Sequence, residues 1–313
     1  MSLFTHKPVL LAEVLANLQL SDGGRVADGT LGGAGHAEAM LRAVLPTGFL
    51  YGCDRDGVAI EAAVGQLAQY AGRFEIRRGH YGELADWVPG ESCDAVLLDL
   101  GVSSPQLDVP ERGFSFSHDG PLDMRMDQRQ PLTAEQIVNE YGETELANIF
   151  WEYGDETKSR KIANRIVRVR ETGRITSTAQ LAELVERILP RRGKKSHPAT
   201  RMFQALRIAV NDEMGGLMRG LNAATTLLKP GGRLAVITFH SLEDRAVKRF
   251  GRALSAEYEW DDDAMRPDWS RPRQPILKIV KNKAIKAGAV ELDENPRSRS
   301  AQLRVYEKLK GSA

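Results

Sequence analysis

Three carboxylates in the first hundred residues stand where a parallel α/β sheet would offer them to a ligand: Asp28, Asp54 and Asp99. Asp28 opens the run Asp28-Gly29-Thr30-Leu31-Gly32-Gly33-Ala34-Gly35-His36, which lies between a strand-like and a helix-like segment. Glycines there let the backbone approach a ligand closely. Asp54 closes the next strand-like stretch, Phe49-Leu50-Tyr51-Gly52-Cys53-Asp54. An acid about 20 residues past such a loop can accept both hydroxyls of a ribose. The spacing implies a cofactor that contains a nucleoside.

The loop chemistry narrows the choice. A phosphate-binding P-loop needs a lysine after its last glycine, and Gly29–His36 holds none. The glycines at 29, 32, 33 and 35 do not follow G-x-G-x-x-G. Asp28 would repel a pyrophosphate and attract an ammonium or sulfonium, which favours S-adenosylmethionine over NAD. Tyr81, beyond the third strand, could pack on the adenine. The alternative is a glycine turn that serves helix–sheet packing alone. Asp99 ends the fourth strand, where ligands of open parallel sheets sit. An exocyclic amine on a base has its lone pair delocalised into the ring. An acceptor set against its N–H bonds can pull the nitrogen towards a nucleophilic geometry. A turn cap is the plainer role for this residue.

The elements that must position these acids are legible as alternating segments. Arg25–Thr30, Phe49–Asp54, Phe74–Arg78 and Asp94–Leu100 read as strands, and the last is apolar enough to be buried on both faces. Val9–Leu15, Gly35–Val44 and Val58–Tyr70 carry helical spacing. This βαβαβ rhythm implies a doubly wound parallel sheet. It stops at about residue 106. Helical patterns then run over Ala134–Glu140, Glu145–Trp151, Ser159–Arg170, Thr178–Ile188 and Pro198–Glu213. The sheet resumes at Lys229–Phe239, with Ile276–Val280 and Gln302–Glu307 as last strands and a long loop expected over 255–275. The expected organisation is an α/β core of 1–105 and 207–313, interrupted by a helical insertion at 106–206.

The chain has 313 residues, 42% hydrophobic and 27% charged, an ordinary composition for a folded soluble chain. Met1–Pro8 lacks a signal layout, no apolar run is long enough to span a membrane, and a cytoplasmic protein is expected. Cys53 and Cys93 each precede an aspartate in a strand and read as buried thiols. No metal-ligand spacing is evident among the six histidines. Net charge is +1 but uneven: −13 over 1–154, +9 over 155–210 and +5 over 211–313. A concentrated basic block suggests a polyanionic partner, or else solvated helix faces.

Longer motifs carry a resemblance. Asp28–His36, Asp99–Asp108, Glu111–Phe116, Gly120–Asp127, His197–Arg201, Phe239–Arg245 and Asn295–Ser300 together resemble the RsmH (MraW) family of bacterial small-subunit rRNA (cytosine-N4)-methyltransferases. The resemblance implies a class I methyltransferase, Rossmann-like doubly wound sheet with an inserted helical domain. It implies methyl transfer from S-adenosylmethionine to N4 of a cytosine in the decoding region of 16S rRNA, within or outside a 30S subunit. Family cofactor positions fall on Ala34, Gly35, His36, Asp54, Tyr81, Asp99 and Gln106, beside Asp28 and Gly33 from the loop itself. Two positions depart from the family pattern: Ala34 stands for glycine and Tyr81 for phenylalanine. An alanine at 34 implies a negative φ, and tyrosine keeps the aromatic face. The chain also lacks the Asp/Asn/Ser-Pro-Pro-aromatic signature of many amino-methyltransferases, with Ser103-Ser104-Pro105-Gln106 in its place.

A base must be reached unstacked, by aromatic faces and a basic groove. Phe114 and Phe116 could stack on the cytosine or form a small core of the insertion. His240 or Ser241, after the fifth strand, could orient the cytosine edge, with Glu243 and Asp244 as helix N-terminal charges. Phosphate contacts are expected from Lys158, Arg160, Lys161, Arg165, Arg168, Arg191, Arg192, Lys194 and Lys195, with Arg297 and Arg299. A non-catalytic RNA-binding assembly factor, or a methyltransferase for protein or small molecules, are the competing readings. Monomer and homodimer both remain open.

Overall fold

The computed structural model describes residues 8–190, 197–260 and 270–310. The chain divides into two compact units, one of residues 1–101 and 216–313, the other of 102–215. The second is slightly wider at both ends than the expected insertion.

The first unit is built on a seven-stranded sheet. Its strands are β1 (Arg25–Asp28), β2 (Phe49–Asp54), β3 (Phe74–Arg78), β4 (Cys93–Asp99), β5 (Leu228–Thr238), β8 (Leu277–Ile279) and β9 (Gln302–Lys308). A separate short pair, β6 (Tyr258–Trp260) and β7 (Ser270–Pro272), is antiparallel. It replaces part of the loop expected over 255–275, with Arg271 paired to Glu259 inside it. The order is β3-β2-β1-β4-β5-β9-β8. β1 to β5 are parallel, and β9 runs antiparallel to both β5 and β8. The order reverses between β1 and β4, and that switch point is where doubly wound sheets bind ligands. This is a Rossmann-like, doubly wound sheet with an antiparallel strand at its β9 position.

Helices α1 (Leu11–Leu18), α2 (Gly35–Val44), α3 (Gly57–Leu67), α11 (Ser241–Ser255) and α12 (Ala289–Glu294) belong to this unit. α10 (Glu213–Leu227) opens at the unit boundary and runs into it. Local signals explain the starts. Asp56 caps α3 by accepting the Val58 N–H. Central strands β1 and β4 are almost wholly buried, as their apolar runs require. One core joins Leu10, Val14, Met40, Leu41, Leu50, Leu97, Ile237 and Leu303. Cys53 and Cys93 are buried free thiols.

The second unit holds α4 (Ser104–Asp108), α5 (Ala134–Glu140), α6 (Glu143–Glu152), α7 (Ser159–Arg170), α8 (Thr178–Ile188) and α9 (Ala199–Asn211). It has its own core, including Phe114, Met124, Ile137, Phe150, Ile166, Leu181 and Phe203. Ser177 begins α8 by accepting the Gln180 N–H, as its sequence suggested. The helix expected over Pro198–Glu213 ends at Asn211 instead, because Asp212 takes φ 46°. Among the described residues no helix is long and apolar enough to cross a membrane.

Candidate functional site

Parallel strands bring their carboxyl ends to one edge, so β1, β2 and β4 deliver Asp28, Asp54 and Asp99 there. Asp28 pairs in register with Gly52 and Leu97. Asp28 is 1% exposed. Its Oδ1 accepts the Thr30 N–H at 3.0 Å and lies 3.3 Å from Thr30 Oγ1. The Thr30 hydroxyl in turn accepts the Asp99 N–H at 2.6 Å. Thr30 therefore ties the two acids together; it was not singled out in the sequence because a threonine in a glycine loop has no distinctive spacing. Burial raises the Asp28 carboxyl to about 7, against the lowering effect of the Thr30 N–H.

Asp54 accepts the Gly32 N–H on Oδ2 and the Asp56 N–H on Oδ1, both at 2.9 Å. A carboxylate has about four acceptor sites, so roughly two remain for ribose hydroxyls. Burial raises its pKa despite those two bonds. Gly32 takes φ +50°, a conformation that glycine adopts without strain and that aims its N–H at Asp54. Ala34 takes φ +64°, which corrects the negative value expected for an alanine. Its N–H donates to Leu31 O and its carbonyl accepts from Glu38, so the turn into α2 holds it there. A left-handed alanine costs about 1–2 kcal/mol.

The two oxygens of Asp99 have different surroundings. Oδ2 lies 3.5 Å from His36 Nδ1. Oδ1 is buried and has no hydrogen-bond partner among the described residues. The carboxyl pKa is raised well above the usual range, by burial first, then by Asp28 and Glu243. His36 is 7% exposed, and its Nε2 lies 2.9 Å from Val9 O. Burial lowers its pKa to about 4, so the ring is neutral at pH 7. With Nε2–H donated to Val9, Nδ1 turns a lone pair towards Asp99. This contact is no ion pair and does not stabilise a charged Asp99.

Tyr81 follows β3, half-buried, with its ring 4.1 Å from that of His80. α10 packs over both. A Cβ at Gly216 would stand 2.3 Å from His80 Nε2, and one at Gly220 would stand 2.2 Å from Tyr81 Cδ2. These two glycines, one helical turn apart, are positioning residues that sequence reasoning missed.

His240 serves the N-terminus of α11. Its Nδ1 accepts the Glu243 N–H at 3.4 Å, while Glu243 Oε2 accepts the Phe239 N–H at 2.8 Å. His240 Nε2 lies 3.0 Å from Glu243 Oε1 but off the axis of a hydrogen bond. Glu243 is 3% exposed, and Asp244 pairs with Arg304, so both have structural partners besides the helix dipole.

The other expected residues fall as follows. Gln106 lies in the helical unit, 4% exposed, where its Oε1 accepts the Ser103 N–H. Phe114 is 7% exposed and packs in that unit's core, the second of the two roles its sequence left open. Phe116 is half-buried between His197 at 4.7 Å and Phe203 at 4.8 Å, so its ring is also engaged in packing. Lys158, Arg160, Lys161, Arg165 and Arg168 are exposed on α7. Arg297 is half-buried and Arg299 exposed in a 3₁₀ turn before β9. Arg191, Arg192, Lys194 and Lys195 lie outside the described residues.

The residues present fit S-adenosylmethionine. Asp54 keeps free acceptor capacity, the buried Asp28 and the half-buried Asp54 and Asp99 end neighbouring strands with charge that would suit a cationic sulfonium, and Asp99 Oδ1 is an unused acceptor. Fold and site together define a class I methyltransferase whose methyl donor is S-adenosylmethionine.

The comparisons with known proteins give the family. A model of the MraW methylase family matches residues 3–309, and the chain belongs to that family. The ribosomal RNA small subunit methyltransferase H of Geobacter sulfurreducens is 49% identical over 311 residues, covering 98% of this chain and 99% of its own. The protein of the same name from Symbiobacterium thermophilum is 46% identical, covering 98% and 97%. Among solved structures, a putative rRNA methylase from Clostridium thermocellum aligns over 99% of this chain and 100% of its own, with 12% identity and a TM-score of 0.45.

Proposed function

We propose that this chain methylates the exocyclic N4 of one cytosine in the decoding region of bacterial 16S rRNA, acting on the small subunit. Two things support the reading: the names of its full-length relatives and the chemistry of Asp99. Bound S-adenosylmethionine supplies an electrophilic methyl group on sulfur. The task left to the protein is to make a conjugated amine nucleophilic. Asp99 Oδ1 accepts one N–H of the amine, which draws the lone pair out of the ring and orients it. The raised pKa makes this carboxylate a stronger base than an ordinary aspartate, so it can hold the proton that the methylated amine sheds. Asp28 and Asp54 fix the cofactor end, and His36 stays neutral and keeps the Asp99 oxygens apart in role. The basic face of α7 would meet phosphates.

The test uses labelled S-adenosylmethionine and 30S subunits from a strain that lacks the modification. Label on N4 of a single cytosine is the expected result. Label on protein, or on naked rRNA at another atom, would keep the cofactor and overturn the substrate. Cofactor binding with no transfer to any of these would favour the assembly-factor reading.

A further inference from the structure

On the first unit, α11, β8 and β9 enclose a pocket of about 100 Å³ on the sheet's β8 edge. Its lining includes Lys248 and Arg252 from α11, Lys281 and Asn282 just past β8, and Arg304 and Tyr306 from β9. Lys248 and Arg252 stand one helical turn apart and so point the same way. Arg304 and Tyr306 alternate onto the same face of β9. The floor is fixed. Arg304 makes two bonds to Asp244, at 2.7 and 2.9 Å, and the Tyr306 hydroxyl donates to Val247 O at 3.0 Å. Asp244 is thereby neutralised. Lys248, Arg252 and Lys281 have no carboxylate partner among the described residues. The result is a concave seat with three uncompensated cations and an amide. It has room for a tetrahedral oxyanion, and the one aromatic ring in its lining, Tyr306, is held by its hydroxyl bond to Val247 O.

We infer that this pocket seats a phosphodiester of the RNA substrate, away from the nucleotide that is methylated. The inference rests on the reading of small-subunit rRNA as substrate. A cationic site of this kind adds affinity without sequence preference.

The experiment measures binding of the full chain to 30S subunits across a salt series, for wild type and for Lys248→Ala/Lys281→Ala. A second double variant, Arg42→Ala/Arg73→Ala, removes the same charge elsewhere on this unit. The pocket variant is expected to bind more weakly, with a log–log salt slope shallower by roughly 1.5 to 2. Its affinity for S-adenosylmethionine and its melting temperature should stay close to wild type, because Lys281 is exposed, Lys248 is only half-buried, and neither belongs to the buried core. An unchanged slope, or an equal change in the Arg42/Arg73 variant, would overturn the inference while leaving the substrate reading intact. Wild type that does not bind 30S subunits at all would sink both. Titration with inorganic phosphate separates the sources: binding of phosphate that the lysine variant loses, with no effect on the RNA slope, would assign the pocket to a free anion and overturn the RNA role.

Discussion

Asp99 and Asp28 are linked through Thr30, yet their raised pKa values have different consequences. Asp99 must be ionised to accept an amine N–H. Replacing it by alanine should therefore lower kcat by about 10²- to 10⁴-fold in a single-turnover methyl-transfer assay, a larger effect than its loss of cofactor affinity. Wild-type turnover should rise with pH as the Asp99 carboxyl, raised by burial, ionises; turnover that does not depend on pH anywhere the protein stays folded would remove the acceptor role. For Asp28 the sign of the stability effect follows from proton counting. The folded state holds a proton up to about pH 7, whereas the unfolded chain loses it near 4. Between those values the folded state binds more protons, so stability falls as pH rises. Asp28→Asn keeps an oxygen for the Thr30 N–H and removes that loss. Urea unfolding should show variant and wild type converging below about pH 4 and the variant more stable at pH 8 by up to a few kcal/mol. Its cofactor affinity should fall if a cationic sulfonium meets the Asp28 charge.

At the scale of elements, α10 decides how the adenine-side residues are held. Alanine normally favours a helix over glycine by about 1 kcal/mol. At Gly220 the added Cβ would come within 2.2 Å of a Tyr81 ring carbon, and forced overpacking costs about 1–3 kcal/mol. The clash outweighs the propensity, so Gly220→Ala should lose about 1 kcal/mol or more and weaken cofactor binding, measured by thermal unfolding and titration. A gain in stability would show that Tyr81 moves freely. The same helix marks the limit of what the sequence discloses. β1, β2 and β4 were legible because each is a short apolar run that ends on an acid. α7 and α8 were legible to the residue because their apolar faces recur at helical spacing. α10 was not, because Gly215, Gly216 and Gly220 interrupt its pattern, and the reason for Gly216 and Gly220 lies in contacts with His80 and Tyr81 far along the chain. The positive φ of Ala34 was hidden for a like cause: hydrogen bonds at the start of α2 override the local preference of alanine.

Across the whole molecule, charge is placed against the interest of the fold, and that is where its RNA-binding surface can be tested. The first 154 residues carry −13 and the next 56 carry +9. Within that basic block α7 begins at Ser159, preceded by Lys158 at the cap with no side-chain capping bond and no acid in its first turn. Arg160 and Lys161 follow, exposed and without carboxylate partners among the described residues. Positive charge at a helix N-terminus opposes the macrodipole by about 0.3–1 kcal/mol per residue, and a missing cap forgoes about 1 kcal/mol more. A sequence selected for stability alone would place serine or aspartate at 158 and glutamate at 161. The double variant Lys158→Ser/Lys161→Glu should therefore melt at a higher temperature than wild type. The same variant should bind 30S subunits more weakly, with a salt slope shallower by roughly 1 to 2. Both shifts are needed. A stabilised variant that binds RNA as wild type does would make the α7 face an ordinary solvated surface. A variant that loses RNA affinity through lost stability would show the opposite thermal shift.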